Sequence, residues 1–579
     1  MIVYVTFFSV ICRIFFTEMF AAQNQEFNVI DSLSGSVTQW YADVDAAIKK
    51  SDVVPGTYEY TITPSYGNVG TLQEGASTNV DITSTRFSLV SVDNSFIRLT
   101  QKMTIKVSKA LDKNRIDSLY YIGYQYAPEA ILQYRIYSNS DLIQTVNWAN
   151  YEWFLIRNSV QPESKEQSDQ YATIDKIRRM DPNVPGVYVD LSALNAADRE
   201  VEISFDLRIP LNSFLMFRNL RYIPQWAGKI TLEIIPSYKN IVIAPCYDPM
   251  DRNYISLIPA ATLDGTGKDA LWALVNNNSK DFNVGFHNIN QTTKWLITTT
   301  GDAADGTGIA LQDLKFSCDS QITDKVEIHL ATYMLDMEVF NALAAQYFQV
   351  PLMFPIQIVE SKDFTKQMGT DDTIDNAMTV QLKHADGMYT VFRKDIHSLS
   401  CFENPEISFQ FNIDGKYYPR APFNSVNDLR TTNQTLDALN FNNCLTTSIN
   451  KDTHNSMQPF RYYYDAPAAG GNLNTVASKK IMYQSGDRSN FCIGIPLCDG
   501  EDFMGGISTS GTVQVQITGH RLNTNPNPNA PNIKAFGAPI AIFTEDVILK
   551  IRSTKPPGTP QISLTHASIE QIIAAAGSV

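Results

Sequence analysis

The stretch FDLRIPLNSF, residues 205–214, ends a strand and turns a corner. Upstream of the corner Val201, Ile203, Phe205 and Leu207 alternate with Glu202, Ser204 and Asp206. That period of two sends one row of side chains into a core and the other toward water. Pro210 closes the run, because proline has no N–H to give to a ladder. The alternating ITLEI of residues 230–234 follows. The same arrangement returns near the other end of the chain, as FCIGIPLCDGEDF (491–503) and then VQVQI (513–517). Ile209-Pro210-Leu211 and Ile495-Pro496-Leu497 stand 495 − 209 = 286 residues apart, about half of the 579 residues. A strand ending in Ile-Pro-Leu, a loop with a nearby phenylalanine (Phe214, Phe503) and a second alternating strand, repeated at half the chain length, predicts two similar β domains in tandem.

Working outward, further strands are expected at 57–63, 87–92, 95–100, 103–107, 187–191 and 242–245 in the first half. In the second half they are expected at 325–333, 354–359, 378–382, 407–413 and 541–551, with Asp414-Gly415 as a hairpin turn. Helices are expected over 27–50 and 334–347, with a short one within 422–436. The stretch 120–157 is dense in aromatics, and 158–186 reads as a polar excursion. NTNPNPNAPN, 523–532, reads as an exposed loop, since its prolines lack donors. Many short strands with Pro and Gly at the turns make an all-β chain of sandwiches. The expected organisation is an N-terminal arm or helix (1–50), a first jelly roll (51–250), a linker and insertion (251–310), a second jelly roll (311–560) and a C-terminal tail (561–579) docking as a short helix. A jelly roll takes about eight strands. The recognisable candidates fall somewhat short of that in each half.

Hydrophobic residues make up 44% of the chain, enough to fill real cores, and charged residues only 18%. The formal net charge of −14 argues against a surface that tracks nucleic acid, and no direct sequence-specific nucleic-acid binding is expected. The seven cysteines, Cys12, Cys246, Cys318, Cys401, Cys444, Cys492 and Cys498, are widely spaced and form no CxxC, so buried free thiols are the preferred reading. The apolar start MIVYVTFFSVICRIFF has three readings: a membrane anchor, a signal or buried arm, or an extension upstream of a true start at Met19.

Sites of chemistry are sparse. The seven histidines form no HExxH. His329 shares a strand face with Glu327, but a half-exposed strand histidine is the plainer reading. His384-Ala385-Asp386-Gly387 reads as a strand end and turn. Asp499, Glu501 and Asp502 offer oxygens for calcium, and equally form an ordinary polar loop. SYGNVG (65–70) and the GTG turns (265–267 and 306–308) lack the lysine and the strand–helix setting of a phosphate loop. Glu202 and Glu233 qualify as a glycosidase pair only if they converge on one bond. No enzyme activity, cofactor or metal site is expected.

The segment SFDLRIPLNSFLMFRNLRYIPQWAGKITLEI, 204–234, resembles the end of the first jelly roll in double jelly-roll major capsid proteins of the virophage and Polinton-like double-stranded DNA virus lineage. The stretch 491–521 resembles the end of the second. The matching positions are Ile209, Pro210, Leu211, Phe214, Phe217 and Pro224, and then Ile495, Pro496, Leu497 and Phe503. The resemblance implies two tandem eight-stranded jelly-roll β-sandwiches with long loops and a few short helices. It implies a homotrimer that acts as a pseudo-hexameric capsomer and tiles an icosahedral shell, with neighbouring capsomers, a penton protein and minor capsid proteins as partners. The location is then the virion, assembled in the host cell, with contact to an internal membrane left open. Loops within 246–310 and 415–490 or 518–535 would be tower or intersubunit material. The alternative is a carbohydrate-binding or adhesive β-sandwich, using the 11% of aromatic residues.

Overall fold

A computed structural model gives the fold. It describes residues 37–51, 59–67, 72–83, 87–108, 119–160, 162–190, 200–238, 240–246, 285–290, 292–298, 309–347, 352–394, 399–426, 428–439, 461–467, 476–483, 490–498, 505–522, 535–552 and 561–565. The apolar start, the calcium-loop residues 499–502, Phe503, both GTG turns and the loop 523–532 lie outside the described residues.

Sixteen strands build two pairs of facing sheets. In the first half they are β1 Glu59–Pro64, β2 Thr78–Ile82, β3 Ser88–Val107, β4 Ile131–Ser138, β5 Asp141–Val146, β6 Glu200–Pro210, β7 Ile230–Pro236 and β8 Ile309–Met334. In the second they are β9 Leu352–Asp363, β10 Thr373–Val380, β11 Ala385–Val391, β12 Ile407–Ile413, β13 Lys416–Asn424, β14 Ile493–Pro496, β15 Val513–Arg521 and β16 Ile540–Arg552. All pair antiparallel. The first half holds the orders β1-β8-β3-β6 and β2-β7-β4-β5. The second holds β9-β16-β11-β14 and β10-β15-β12-β13. Adding eight to every number of the first pair yields the second pair. Each half is thus a jelly-roll-like sandwich, and the repeat legible around Ile-Pro-Leu extends to the order of these sixteen strands, while Leu119–Gly123, Gly186–Asp190, Val242–Pro245 and His287–Asn288 form a further sheet outside it.

The period-two rows meet inside. Ile97, Leu99 and Ile105 of β3, Leu207 and Ile209 of β6, and Ile328 of β8 share a core with Val80 of β2, Ile136 of β4 and Leu232 and Ile234 of β7. In the second half Met388, Ile495 and Phe543 share a core with Met378, Phe409, Phe411, Val515 and Ile517. The turn at Asp414-Gly415 has positive φ at both residues (49° and 81°), the geometry of a two-residue hairpin whose twist matches its strands.

The longer helices among the described residues are α1 (residues 37–50), α2 Ala149–Ser159, α3 Met337–Tyr347 and α4 Leu429–Leu439. α1 buries Trp40, Val44, Ala47 and Ile48, one face of a 3.6-residue period. α2 lies between β5 and β6, and α4 between β13 and β14, so the helices repeat by the same rule as the strands. The aromatic stretch 143–157 divides into the end of β5 and nearly all of α2. The polar excursion carries two short helices, Pro162–Gln167 and Ile174–Arg178.

Three expectations are corrected. The runs 87–92, 95–100 and 103–107 form one strand, β3, of 20 residues. Ser88–Val92 is buried at every position, so the alternation that marks a strand disappears there. The partner β8 also shifts register at three points along β3. Second, the strand at 325–333 does not open the second half. It is part of β8, paired to β3 from Phe316↔Val107 to Met334↔Ser88 and to β1. A boundary at residue 310 therefore leaves the first sandwich without a central strand. The expected linker ends in a hairpin onto that strand, Thr292–Thr298 pairing with Ile309–Lys315. Third, the tail starts as a strand and not a helix. Gln561–Thr565 pairs with Ile548–Arg552 of β16, just beyond where β11 leaves that edge open. An open ladder edge beside an alternating Ile562-Ser563-Leu564 decides for strand.

Candidate functional site: the strand ends and the joint between the halves

The two Ile-Pro-Leu strand ends occupy corresponding places. Ile209 and Pro210 stand opposite Ile97 and Phe96 of β3, while Ile495 and Pro496 stand opposite Met388 and Gly387 of β11. Ile209, Leu211, Phe214 and Phe217 have no exposed surface, and Pro210 and Pro224 are buried. Ile495 and Leu497 are buried as well, whereas Pro496 is half-buried. After Pro210 the chain makes a 3-10 turn, Leu211–Ser213, and a single helical turn, Leu215–Arg218. It then folds back so that Pro224 pairs with Leu89. Phe214 packs edge-on to Tyr134 at 5.1 Å and Trp153 at 5.4 Å between ring centres. These side chains pack the corners of the two sandwiches.

A buried carboxylate anchors the first corner. Glu152 on α2 accepts from the Tyr134 hydroxyl at 2.7 Å and from the Leu215 amide at 3.2 Å. Burial pushes its carboxyl up to about 7, with those hydrogen bonds opposing. The second corner uses a glycine instead. A Cβ on Gly494 would stand 2.9 Å from the Thr435 Cα and 3.1 Å from the Ala438 Cβ, so α4 lies directly on the strand. The Gly494 amide donates to the Thr435 hydroxyl at 2.9 Å. Arg208, also one residue before the isoleucine, points outward and lies over the Phe96 ring at 4.5 Å.

The halves are joined through α2. Its residues from Ala149 to Asn158 are all buried. Tyr151, Phe154 and Leu155 pack with Tyr389, Val391, Phe402, Leu439, Ile540 and Ile542 of the second half. Within this apolar contact sits a polar bolt. Arg157 pairs with Glu129, and the side chains are 3% and 1% exposed. The Arg157 Nη2 donates to the Ser400 carbonyl at 3.0 Å and to Asn490 Oδ1 at 2.7 Å. Asn150 Nδ2 donates to the Leu399 carbonyl at 3.0 Å, and the Ser400 hydroxyl bonds Asn240. Burial pushes the Glu129 carboxyl up and Arg157 beside it pulls it down. The ends of β9 and β16, with the strand Gln561–Thr565, extend the joint: Leu352, Phe354, Ile356, Val547, Leu549, Ile551 and Ile562 belong to the same cluster as the first-half core. None of the bolt residues stands out in the sequence. The one trace is Arg157, a charge directly after the apolar run Trp153–Ile156.

The outer face of β3, β6 and β8 is a ladder of cross-strand ion pairs. Lys102–Asp324 at 2.8 Å, Lys106–Glu200 at 2.6 Å and Arg98–Asp206 stand there, all with exposure above 39%. Such pairs contribute roughly 0–1 kcal/mol each. They keep this exposed face polar.

The remaining candidates separate. His329 stacks on Phe96 at 4.5 Å, and Glu327, 3.7 Å away, is also held by Lys325 at 2.7 Å. Glu202 lies on β6 and Glu233 on β7, in different sheets, and Glu233 accepts from Arg135 and Tyr137. They do not form a glycosidase pair. Asp386 does not sit in a turn but near the start of the inner strand β11, directly after His384 and Ala385. The described cysteines Cys246, Cys318, Cys401, Cys492 and Cys498 are free thiols, and burial pushes Cys246 and Cys492 up to about 12. Neither is a nucleophile near neutral pH. The exposed aromatics Tyr60, Tyr66, Trp148 and Tyr417 are spread over four elements or their flanks. Among the described residues no group of three or more His, Cys, Asp or Glu is placed to hold a metal ion, and no helix is long and apolar enough to cross a membrane.

No protein-family model matches the chain, and no curated protein matches it. Among solved structures it is similar to the mavirus major capsid protein, at 10% identity and a TM-score of 0.47, covering 90% of this chain and 92% of that one. The Sputnik virophage structure matches at 11% identity and a TM-score of 0.45, again over 90% and 92%. PBCV-1 VP54 fitted into a reconstruction of Sputnik matches at 10% identity and a TM-score of 0.40, over 88% and 98%. These are distant likenesses, and they decide nothing about this chain's function.

Proposed function

We propose that the chain is a structural major capsid protein of the double jelly-roll type. Three copies form a pseudo-hexameric capsomer, and capsomers tile an icosahedral shell. The observation that carries this reading is the repetition of the order of these sixteen strands, eight in each of two halves bolted together through α2. The reading takes β1–β8 and β9–β16 as two eight-stranded jelly rolls. A rigid block with two near-equivalent sandwiches gives a trimer six near-equivalent edges, which a single sandwich does not. The joint supports it, because two sandwiches on a loose tether would not hold a fixed outline. The outward face of β3, β6 and β8 supports it too, being exposed, polar and crossed by ion pairs. The resemblance of 204–234 and 491–521 points the same way. In this reading Ile209, Pro210, Leu211, Phe214, Phe217 and Pro224, with Ile495, Pro496, Leu497 and Phe503, hold the corners of the sandwiches rather than a ligand. The protein then resides in the virion after assembly in the host cell, beside neighbouring capsomers, a penton protein and minor capsid proteins. It performs no catalysis.

The test is the solution mass and outline of the purified chain, by light scattering and negative-stain imaging. A particle of three chain masses with a hexagonal outline is expected. A stable, well-folded monomer at micromolar concentration overturns the reading.

A further inference from the structure

Lys176, on the short helix Ile174–Arg178 of the polar excursion, has no exposed surface. Its Nζ donates to three backbone carbonyls: that of Ser168, that of Tyr171 at 3.2 Å and that of Asn183 at 3.1 Å. An ammonium has three N–H donors and no acceptor, so these carbonyls take all of them. A charge out of water is costly unless its donors are met, and here carbonyls meet them where a carboxylate is the usual partner. Two acids of the excursion are engaged elsewhere. Glu166 accepts from Thr173 and Arg179, and Asp181 accepts from the Asn183 amide at 2.8 Å. Burial pulls the Lys176 pKa down, and the charges of Asp181, Glu166 and Asp169 oppose that, while Arg179 adds to it.

Ser168 and Tyr171 precede the helix in the chain and Asn183 follows it, so one ammonium ties the entry of the helix to its exit. What it ties lies against the joint. The Ala172 amide donates to the Gln125 carbonyl at 2.9 Å, and the Ala127 amide to the Gln170 carbonyl at 2.8 Å. The Tyr171 ring stacks on Tyr126 at 4.6 Å. Ala172 and Ile177 share a cluster with Tyr121 and Phe286, and with Cys401 from the second half. Cys401 directly follows Ser400, whose carbonyl accepts from Arg157. The excursion therefore backs the segment that the bolt grips.

We propose that the carbonyls of Ser168, Tyr171 and Asn183 form a site for a small cation, that the Lys176 ammonium is its built-in occupant, and that this occupant fixes the excursion against the joint between the halves. Three carbonyl oxygens gathered on one point turn the negative ends of their dipoles toward each other. A cation at that point removes the repulsion, which is how oxygen cages hold hard ions. Take the charge away and the three acceptors are left unmet in a site closed to water, at a cost the excursion relieves by opening. The lysine tether supplies the cation without any loss from solution. A free primary ammonium of the same head shape should replace it once the side chain is cut back. The site goes beyond the capsid reading, and its failure leaves that reading untouched.

The test is amide hydrogen exchange on the whole protein, in methylammonium chloride and in tetramethylammonium chloride at equal ionic strength. In Lys176→Ala with tetramethylammonium, protection of the Ala172 and Ile177 amides is expected to fall about tenfold or more. The Leu99 and Ile328 amides of the first sandwich should hold steady. Methylammonium should restore most of the loss in a saturable way, because it carries three N–H donors and tetramethylammonium has none. Lys176→Met should lose the same protection and recover none of it, since its uncharged stem still fills the channel. The wild-type protein should respond to neither salt. Full protection in Lys176→Met overturns the proposal whether or not Lys176→Ala folds. So does a loss in Lys176→Ala that methylammonium leaves unrestored, or that both salts restore alike.

Discussion

Arg157 and Asn490 are 333 positions apart in the chain and 2.7 Å apart in space. One ends α2 in the first half, and the other precedes β14 in the second. Between them runs the contact that makes one body of two sandwiches, because the same guanidinium also neutralises Glu129 in a site closed to water.

Breaking that contact should uncouple the halves. Arg157→Ala strands the Glu129 carboxylate in the interior, which costs about 3–5 kcal/mol. Calorimetry should show a lower unfolding temperature and a single transition splitting into two. Glu129→Gln added to Arg157→Met should recover much of the loss, since no buried charge is then left alone.

The corner of the first sandwich is aromatic. Phe214→Ala removes a ring held between Tyr134 and Trp153. Denaturant unfolding should register a loss of about 3–5 kcal/mol. Pro496→Ala, at a half-buried position, should lose much less.

Gly494 is fixed by the approach of α4. Gly494→Val should push α4 off β14 and destabilise the second half by about 1–3 kcal/mol. Arg208→Ala, at the matching position of the first half, should cost about 0.5–1 kcal/mol, the worth of an exposed cation over a ring. Thermal melts of the two variants compare them directly.

Glu152 makes stability depend on pH in a stated direction. Its carboxyl is raised from 4.5 to about 7 in the folded chain. Between those values the folded state holds a proton that the unfolded state has lost, so stability falls as pH rises through the window. The loss is on the order of 3 kcal/mol by pH 8. Glu152→Gln should flatten this part of the profile. The variant's unfolding free energy, relative to wild type, should therefore improve from pH 5 to pH 8. A constant difference across that range would count against the assignment.

Removing the strand Gln561–Thr565 opens the edge of β16 at Ile548–Arg552 and uncovers Ile562's neighbours in the shared core. A chain ending at residue 560 should melt lower and aggregate more readily, because an open edge is a template for pairing. Light scattering during a thermal ramp reads both effects.

Much of the architecture was legible along the chain. β6, β7, β12, β15 and most of β16 announce themselves through alternation or apolar runs, and the Ile-Pro-Leu spacing reveals the duplication. Each of these is a local property: a period of two, a proline that ends a ladder, a turn at Asp414-Gly415. Tertiary structure decided everything that depends on who lies next to whom. Ser88–Val92 loses its alternation only because packing buries every one of its positions. β8 belongs to the first half because β3 and β1 offer it ladders on either side, which no local pattern encodes. Gln561–Thr565 is a strand because β16 leaves it an edge. Arg157, Glu129, Ser400 and Asn490 look like surface residues in the sequence, since a polar side chain reads the same wherever it points. Only packing, which brings distant groups to hydrogen-bond distance and excludes water around them, turns those four into a bolt.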